Sequence, residues 1–139
     1  MNRFVLDASV ALAWFVDRTM APYAAHVKRL LLEGGRAVVP ALWPAEVANG
    51  FVVAERRGML MPAQTLEMLE SFEIVLAQSI ETSQELTPMR VLIATARAYR
   101  LIAYDAAYLE TARRERLPLA TLDRQLLEAA SKAGVEIVS

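Results

Sequence analysis

Four acids stand where short apolar runs give way to helix-forming sequence. Asp7 directly follows Phe4-Val5-Leu6, and Asp123 follows Leu117-Pro118-Leu119-Ala120-Thr121-Leu122 in the same way. Asp105 comes after Leu101-Ile102-Ala103-Tyr104 and opens a helical stretch. Glu46 lies in the first turns of the helical sequence after Ala37–Val39, with Asn49 three residues on, near the same side. Singly, each has an ordinary explanation. Asp is a favoured N-cap, acids in a first turn complement the helix dipole, and a lone Glu on a helix is usually solvated.

Together they carry more meaning, because all four fall at one edge of the sheet that the sequence predicts. Two carboxylates about 4 Å apart repel by roughly 4 kcal/mol at an effective dielectric of 20, so such a cluster needs a compensating charge. Mg²⁺ and Mn²⁺ prefer carboxylate and water oxygens, and a carboxylate-held cation with open positions suits phosphate chemistry. Ser9 and Thr121, each two residues from an acid, can serve a local turn, the carboxylate or a phosphate. Arg124, next to Asp123, is placed to meet a phosphate.

The elements that must position these acids follow from the apolar pattern. Runs at Phe4–Leu6, Ala37–Val39, Ile74–Ala77, Leu117–Thr121 and Val135–Val138 lack clean alternation and suit strands buried on both faces. Between them lie helical stretches: from Pro22 to Gly34-Gly35, from Trp43 to Arg57, from Pro62 through Leu69, and from Thr87-Pro88 with Val91, Ala94, Thr95 and Ala98 inward. Two more run from Asp105 to Arg116 and from Asp123 to Ala133. Alternation of this kind predicts an α/β domain with a mainly parallel five-stranded sheet. Ligands bind such sheets beyond the carboxyl ends of the strands, where the acids collect.

The chain has 139 residues, 55% of them hydrophobic, with 5 Gly and 6 Pro, and reads as one domain spanning 1–139. A net charge of −1 gives no general basic field for nucleic acid. With no cysteine, any metal must be held by oxygen or by the single histidine, His26, which sits beside Lys28 and Arg29 and reads as a surface residue. Arg113, Arg114 and Arg116 read as a solvated face, with an RNA-contacting patch as the alternative. The segment Leu66–Pro88 holds five Glu and no Lys or Arg, and should not face a polyanion. The apolar segment Val10-Ala11-Leu12 with Trp14 and Phe15 reads as core, with a partner-binding groove as the alternative. At Ala8–Val16 the charge-free run is about half a membrane span, so no membrane association is expected and a cytoplasmic location is.

Val5-Leu6-Asp7-Ala8-Ser9, Trp43-Pro44-Ala45-Glu46-Val47-Ala48-Asn49, Tyr104-Asp105-Ala106-Ala107-Tyr108-Leu109-Glu110 and Leu117 through Asp123 resemble the PIN-domain toxins of the VapC type, in order along nearly the whole chain. The resemblance implies a three-layer α/β/α PIN domain and a Mg²⁺- or Mn²⁺-dependent endoribonuclease acting as the toxin of a toxin–antitoxin pair. It further implies that Asp7, Glu46, Asp105 and Asp123 form the catalytic and metal-binding quartet, with Asp7 and Asp105 the firmest metal ligands and Glu46 and Asp123 binding directly, through water or by positioning the nucleophile. A cognate antitoxin, a homodimer and a transfer or ribosomal RNA substrate are the partners it suggests.

Two other functions fit parts of the pattern. An Asp-based phosphotransfer domain would also place an Asp after the first strand, but the second acid expected at Ser9, or an acidic pair before the strand, is missing. A non-catalytic interaction module would use the acids only as helix caps.

Overall fold

The computed structural model describes residues 2–139. Four strands, β1 (Arg3–Leu6), β2 (Arg36–Val39), β3 (Ile80–Thr82) and β4 (Leu119–Ala120), pair in parallel in the order β3-β2-β1-β4. Helices α1 (Ala8–Val16) and α2 (Pro22–Leu32) connect β1 to β2; α3 (Trp43–Arg56) and α4 (Pro62–Val75) connect β2 to β3. Helices α5 (Met89–Tyr99) and α6 (Ala103–Glu115) lead to β4, and α7 (Arg124–Ala133) follows it. No helix among the described residues is long and apolar enough to cross a membrane.

Helices flank the sheet, so its central strands are apolar throughout. Phe4, Val5 and Leu6 in β1 and Ala37, Val38 and Val39 in β2 are all buried. Strands covered on both faces carry no alternation, which is why these runs read as continuous. At about 25 cal/mol per Å², each of the Val, Leu and Phe side chains among them contributes roughly 1.5–3 kcal/mol on burial.

Three elements depart from the expectation. The run Ile74–Ala77 is not a strand: α4 continues to Val75, and the strand lies later, at Ile80–Thr82. Leu69, Phe72 and Leu76 keep the helical spacing and turn toward the core, leaving the β-branched Ile74 and Val75 exposed, so position in the helix overrode strand propensity. The fifth segment narrows to one parallel bridge between Leu119 and Ile137, flanked by Leu119 N to Glu136 O and Val138 N to Leu119 O. A β4 of two residues offers no longer edge to pair with. In α5 only Thr95 is buried, whereas Val91, Ala94 and Ala98 face outward.

The packing of α1 on α3 matters most for the site. Gly50 faces α1, where an added Cβ would lie 2.1 Å from Leu12 Cδ2. The missing side chain allows the helix bearing Glu46 to approach the helix that starts after Asp7.

Candidate active site

Asp7, Glu46, Asp105 and Asp123 all line one cleft of about 590 Å³, together with Ser9, Asn49 and Tyr104. Their routes to it differ. Asp7 and Asp123 leave the ends of β1 and β4, which are direct neighbours in the sheet. Glu46 comes from the first turn of α3. Asp105 is the third residue of α6, since that helix begins at Ala103 rather than at Asp105.

The first connection is tied to the last by two hydroxyls. Ser9 Oγ and Thr121 Oγ1 both donate to Asp7 Oδ2, at 2.6 and 2.7 Å. Each hydroxyl also accepts a backbone N–H: Ser9 from Leu122 at 2.9 Å, Thr121 from Asp123 at 3.0 Å. The turn and the carboxylate thus share both side chains. Their O–H groups are spent on Asp7 and are not free to donate to a phosphate.

Asp123 is a genuine N-cap. Its Oδ1 accepts from Gln125 N at 2.8 Å and Leu126 N at 3.4 Å. Asp7 occupies the N-cap position of α1 with no such bond, and α6 is not capped by a side chain either. Capping therefore accounts for one of the four acids. Glu46 Oε1 accepts from Tyr108 Oη at 2.6 Å. Tyr108 belongs to one of the motif segments, but nothing in the linear sequence marked its partner, 62 positions away.

The electrostatics of the cleft are adverse to charge. Burial is the main cause raising the Asp7 pKa; the two hydroxyl bonds oppose it and the Asp123 charge adds to it. Burial also raises Glu46, opposed by the Tyr108 bond and assisted by Asp7. Asp105 is pushed up to about 7, first by burial and then by the charges of Asp123, Asp7 and Glu46, with no hydrogen bond offsetting them. Three acids are each tethered by one oxygen, and the fourth has no hydrogen-bond partner among the described residues.

No three of these side chains, among the described residues, stand close enough to hold one ion as they are placed. They face a common cleft without closing on a point. The donor set is nonetheless all oxygen and mutually repelling, and this fits a hard divalent cation.

The remaining candidates fall at varied distances from this chemistry. Asn49 lies in the cleft lining, whereas Arg124 is exposed on the first turn of α7 and does not line the cleft. His26 is elsewhere, on α2, with Nε2 2.9 Å from Ser139 O. Arg114 binds Ser83 Oγ, Thr87 Oγ1 and Glu85 O and pairs with the Glu85 carboxylate, securing the β3–α5 loop. Arg113 pairs with Glu110 and lies over Tyr99. In α1, Val10, Ala11, Ala13 and Trp14 are core, while Leu12 lines the acidic cleft and Phe15 a separate apolar groove.

Comparison with known proteins adds the lineage. The family model for the PIN domain matches residues 4–132. Among solved structures, the chain is similar to PAE2754 from Pyrobaculum aerophilum, at 23% identity and TM-score 0.65, over 92% of this chain and 84% of that one. It is also similar to FitAcB from Neisseria gonorrhoeae, at 22% identity and TM-score 0.63, over 98% and 96%. A structure of FitAB bound to an IR36 DNA fragment matches at 20% identity and TM-score 0.62, over 97% and 93%. At such identities these likenesses establish a shared fold. No curated protein matches the sequence.

Proposed function

This chain belongs to the PIN-domain family, and from that premise we propose that it is a Mg²⁺- or Mn²⁺-dependent endoribonuclease, the toxin of a VapC-type toxin–antitoxin pair, with residues 1–139 as a single PIN domain. PIN domains are typically metal-dependent nucleases. The observation that carries the reading is the convergence of Asp7, Glu46, Asp105 and Asp123 on one cleft in which burial and, after it, three acidic neighbours destabilise the charge of Asp105. A fold does not keep four such groups together for stability, and a cation supplies what they lack.

Asp7 and Asp105 are the direct ligands in this reading, with Glu46 and Asp123 completing the set. Asp7, Glu46 and Asp123 each commit one oxygen to the protein, leaving Asp7 Oδ1, Glu46 Oε2 and Asp123 Oδ2 for the cleft. When bound, the ion supplies positive charge for the scissile phosphate and acidifies a water. Asp105, whose charge burial and three acidic neighbours oppose, is the carboxylate that would gain most from the positive charge of a cation. Asn49, in the cleft lining, and Arg124, next to Asp123 in the chain, are the residues this reading assigns to the RNA backbone. Unstacked loops of transfer or ribosomal RNA are the substrates most accessible to such an edge.

An antitoxin segment has a matching surface. Phe15, Val47, Phe51, Val52, Leu69 and Phe72 line a groove of about 330 Å³ between α1, α3 and α4, suited to an amphipathic helix. The buried indole N–H of Trp43, which also lines it, has no acceptor among the described residues. For a second copy of the chain, Met89 and Ile93, one turn apart and exposed on α5, are the apolar contact proposed.

The test is direct. Purified protein should cleave RNA with Mn²⁺ or Mg²⁺ and not in EDTA, and Asp7→Asn or Asp105→Asn should abolish cleavage. Full activity in both variants would remove the nuclease reading. A DNA substrate belongs in the same assay, since the FitAB structure was determined with a DNA fragment.

A further inference from the structure

Tyr108 is wholly buried in α6, and its hydroxyl donates to Glu46 Oε1 at 2.6 Å. A phenol placed in a core needs an acceptor, and a backbone carbonyl would satisfy it. Here the acceptor is a carboxylate that lines the acidic cleft. Tyr108 stands three residues after Asp105 on α6, so the two share a side of that helix. The bond joins α6, which supplies Asp105, to α3, which supplies Glu46, from the buried side of the cleft carboxylate.

We propose that Tyr108 is a positioning residue for Glu46, holding Oε1 so that Oε2 is the oxygen left for a cation; this rests on the metal-dependent nuclease reading above. A glutamate has three rotatable side-chain bonds, and a half-buried one among other acids is driven away from them unless something fixes it. A charge-assisted O–H to carboxylate bond is short and directional enough to do so. The sheet-end acids have their own holders in Ser9, Thr121 and the α7 N-terminus. Tyr108 does the same for Glu46.

The experiment is Mn²⁺ binding to the RNA-free protein, by calorimetry or electron paramagnetic resonance, beside RNA cleavage with kcat and KM resolved. Tyr108→Phe removes one oxygen and should weaken Mn²⁺ about 10- to 100-fold, as loss of a ligand's holder does. KM for RNA at saturating Mn²⁺ should stay within about twofold. In a Glu46→Ala background the same substitution should leave Mn²⁺ affinity unchanged, because the group it acts through is gone. A Tyr108→Phe protein that melts lower but binds Mn²⁺ like the parent would reduce Tyr108 to a core residue and overturn the proposal; so would further loss in the Glu46→Ala background. If Tyr108→Phe fails to fold, Glu46→Asp decides instead. It keeps the charge but falls short of the hydroxyl, and binding equal to the parent's would overturn the idea. A parent that neither binds Mn²⁺ nor cuts RNA would remove the nuclease reading and this inference together. A competent parent with an unaffected Tyr108→Phe would remove the inference alone.

Discussion

Thr121 Oγ1 lies 2.7 Å from Asp7 Oδ2, a bond that joins residues 114 positions apart at the ends of two adjacent parallel strands. The same hydroxyl accepts the N–H of Asp123 at 3.0 Å. One side chain thereby fixes the spacing of two of the four acids.

Thr121→Val keeps the shape and removes both hydrogen bonds. Leaving a buried carboxylate short of a donor costs about 1–3 kcal/mol, and thermal melting should register a loss of that size. Asp7 loses a bond that favours its charged form, so its pKa should rise further, and Mn²⁺-dependent cleavage should fall most at low pH.

Asp105 gives a pH prediction with a definite sign. Its carboxyl, pushed up to about 7 in the fold, lies well above the ordinary aspartate value of 3.8 that the unfolded chain has. Between these values the folded state binds the extra proton, so metal-free stability falls as pH rises through that window. The metal-free protein should melt higher at pH 5 than at pH 8, and Asp105→Asn should flatten this difference. At pH 8 that variant should gain on the order of 2 kcal/mol, the full shift being discounted because the cleft is open to solvent.

Cation binding should reverse the penalty. If Mn²⁺ displaces the Asp105 proton, its affinity should drop as pH falls below about 7, with proton release measurable by calorimetry in buffers of different ionisation enthalpy. At about 100 times its Kd, Mn²⁺ should stabilise the fold by about 2.7 kcal/mol, raising Tm by roughly 10 °C, and EDTA should abolish the gain.

Asp123 separates cap from ligand. Asp123→Asn preserves an acceptor for Gln125 N and Leu126 N, so stability should hold within about 0.5 kcal/mol while cleavage falls. Asp123→Ala should lose cleavage and also about 1 kcal/mol of stability. Equal activity in Asp123→Asn and parent would leave Asp123 a cap only.

Val52→Asp places a charge in the apolar groove between α3 and α4. Co-expression with the product of the adjacent reading frame should then no longer yield a complex. Retention of a parent-like complex would locate the antitoxin contact elsewhere.

The β1 and β2 strands, the order of helices and the positions of the acids were legible in the sequence because they rest on local patterns. Uninterrupted apolar runs mark strands covered on both faces, Pro and Gly mark helix ends, and Asp7 and Asp123 stand at strand exits. Local pattern misjudged Ile74–Val75, where packing of Phe72 and Leu76 extended a helix, and α5, where apolar residues face outward. The division of labour among the acids was legible only in part: capping by Asp and a hydroxyl of Ser9 or Thr121 on a carboxylate were open readings, but which acid took which was not. The Thr121 bond to Asp7 and the Tyr108 bond to Glu46 cross 114 and 62 positions, and Asp105 has no such bond among the described residues. Such bonds form only after the strands are in register and the helices packed, and no local propensity encodes them. The sequence determined which carboxylates arrive; the tertiary structure decided which of their oxygens remain free.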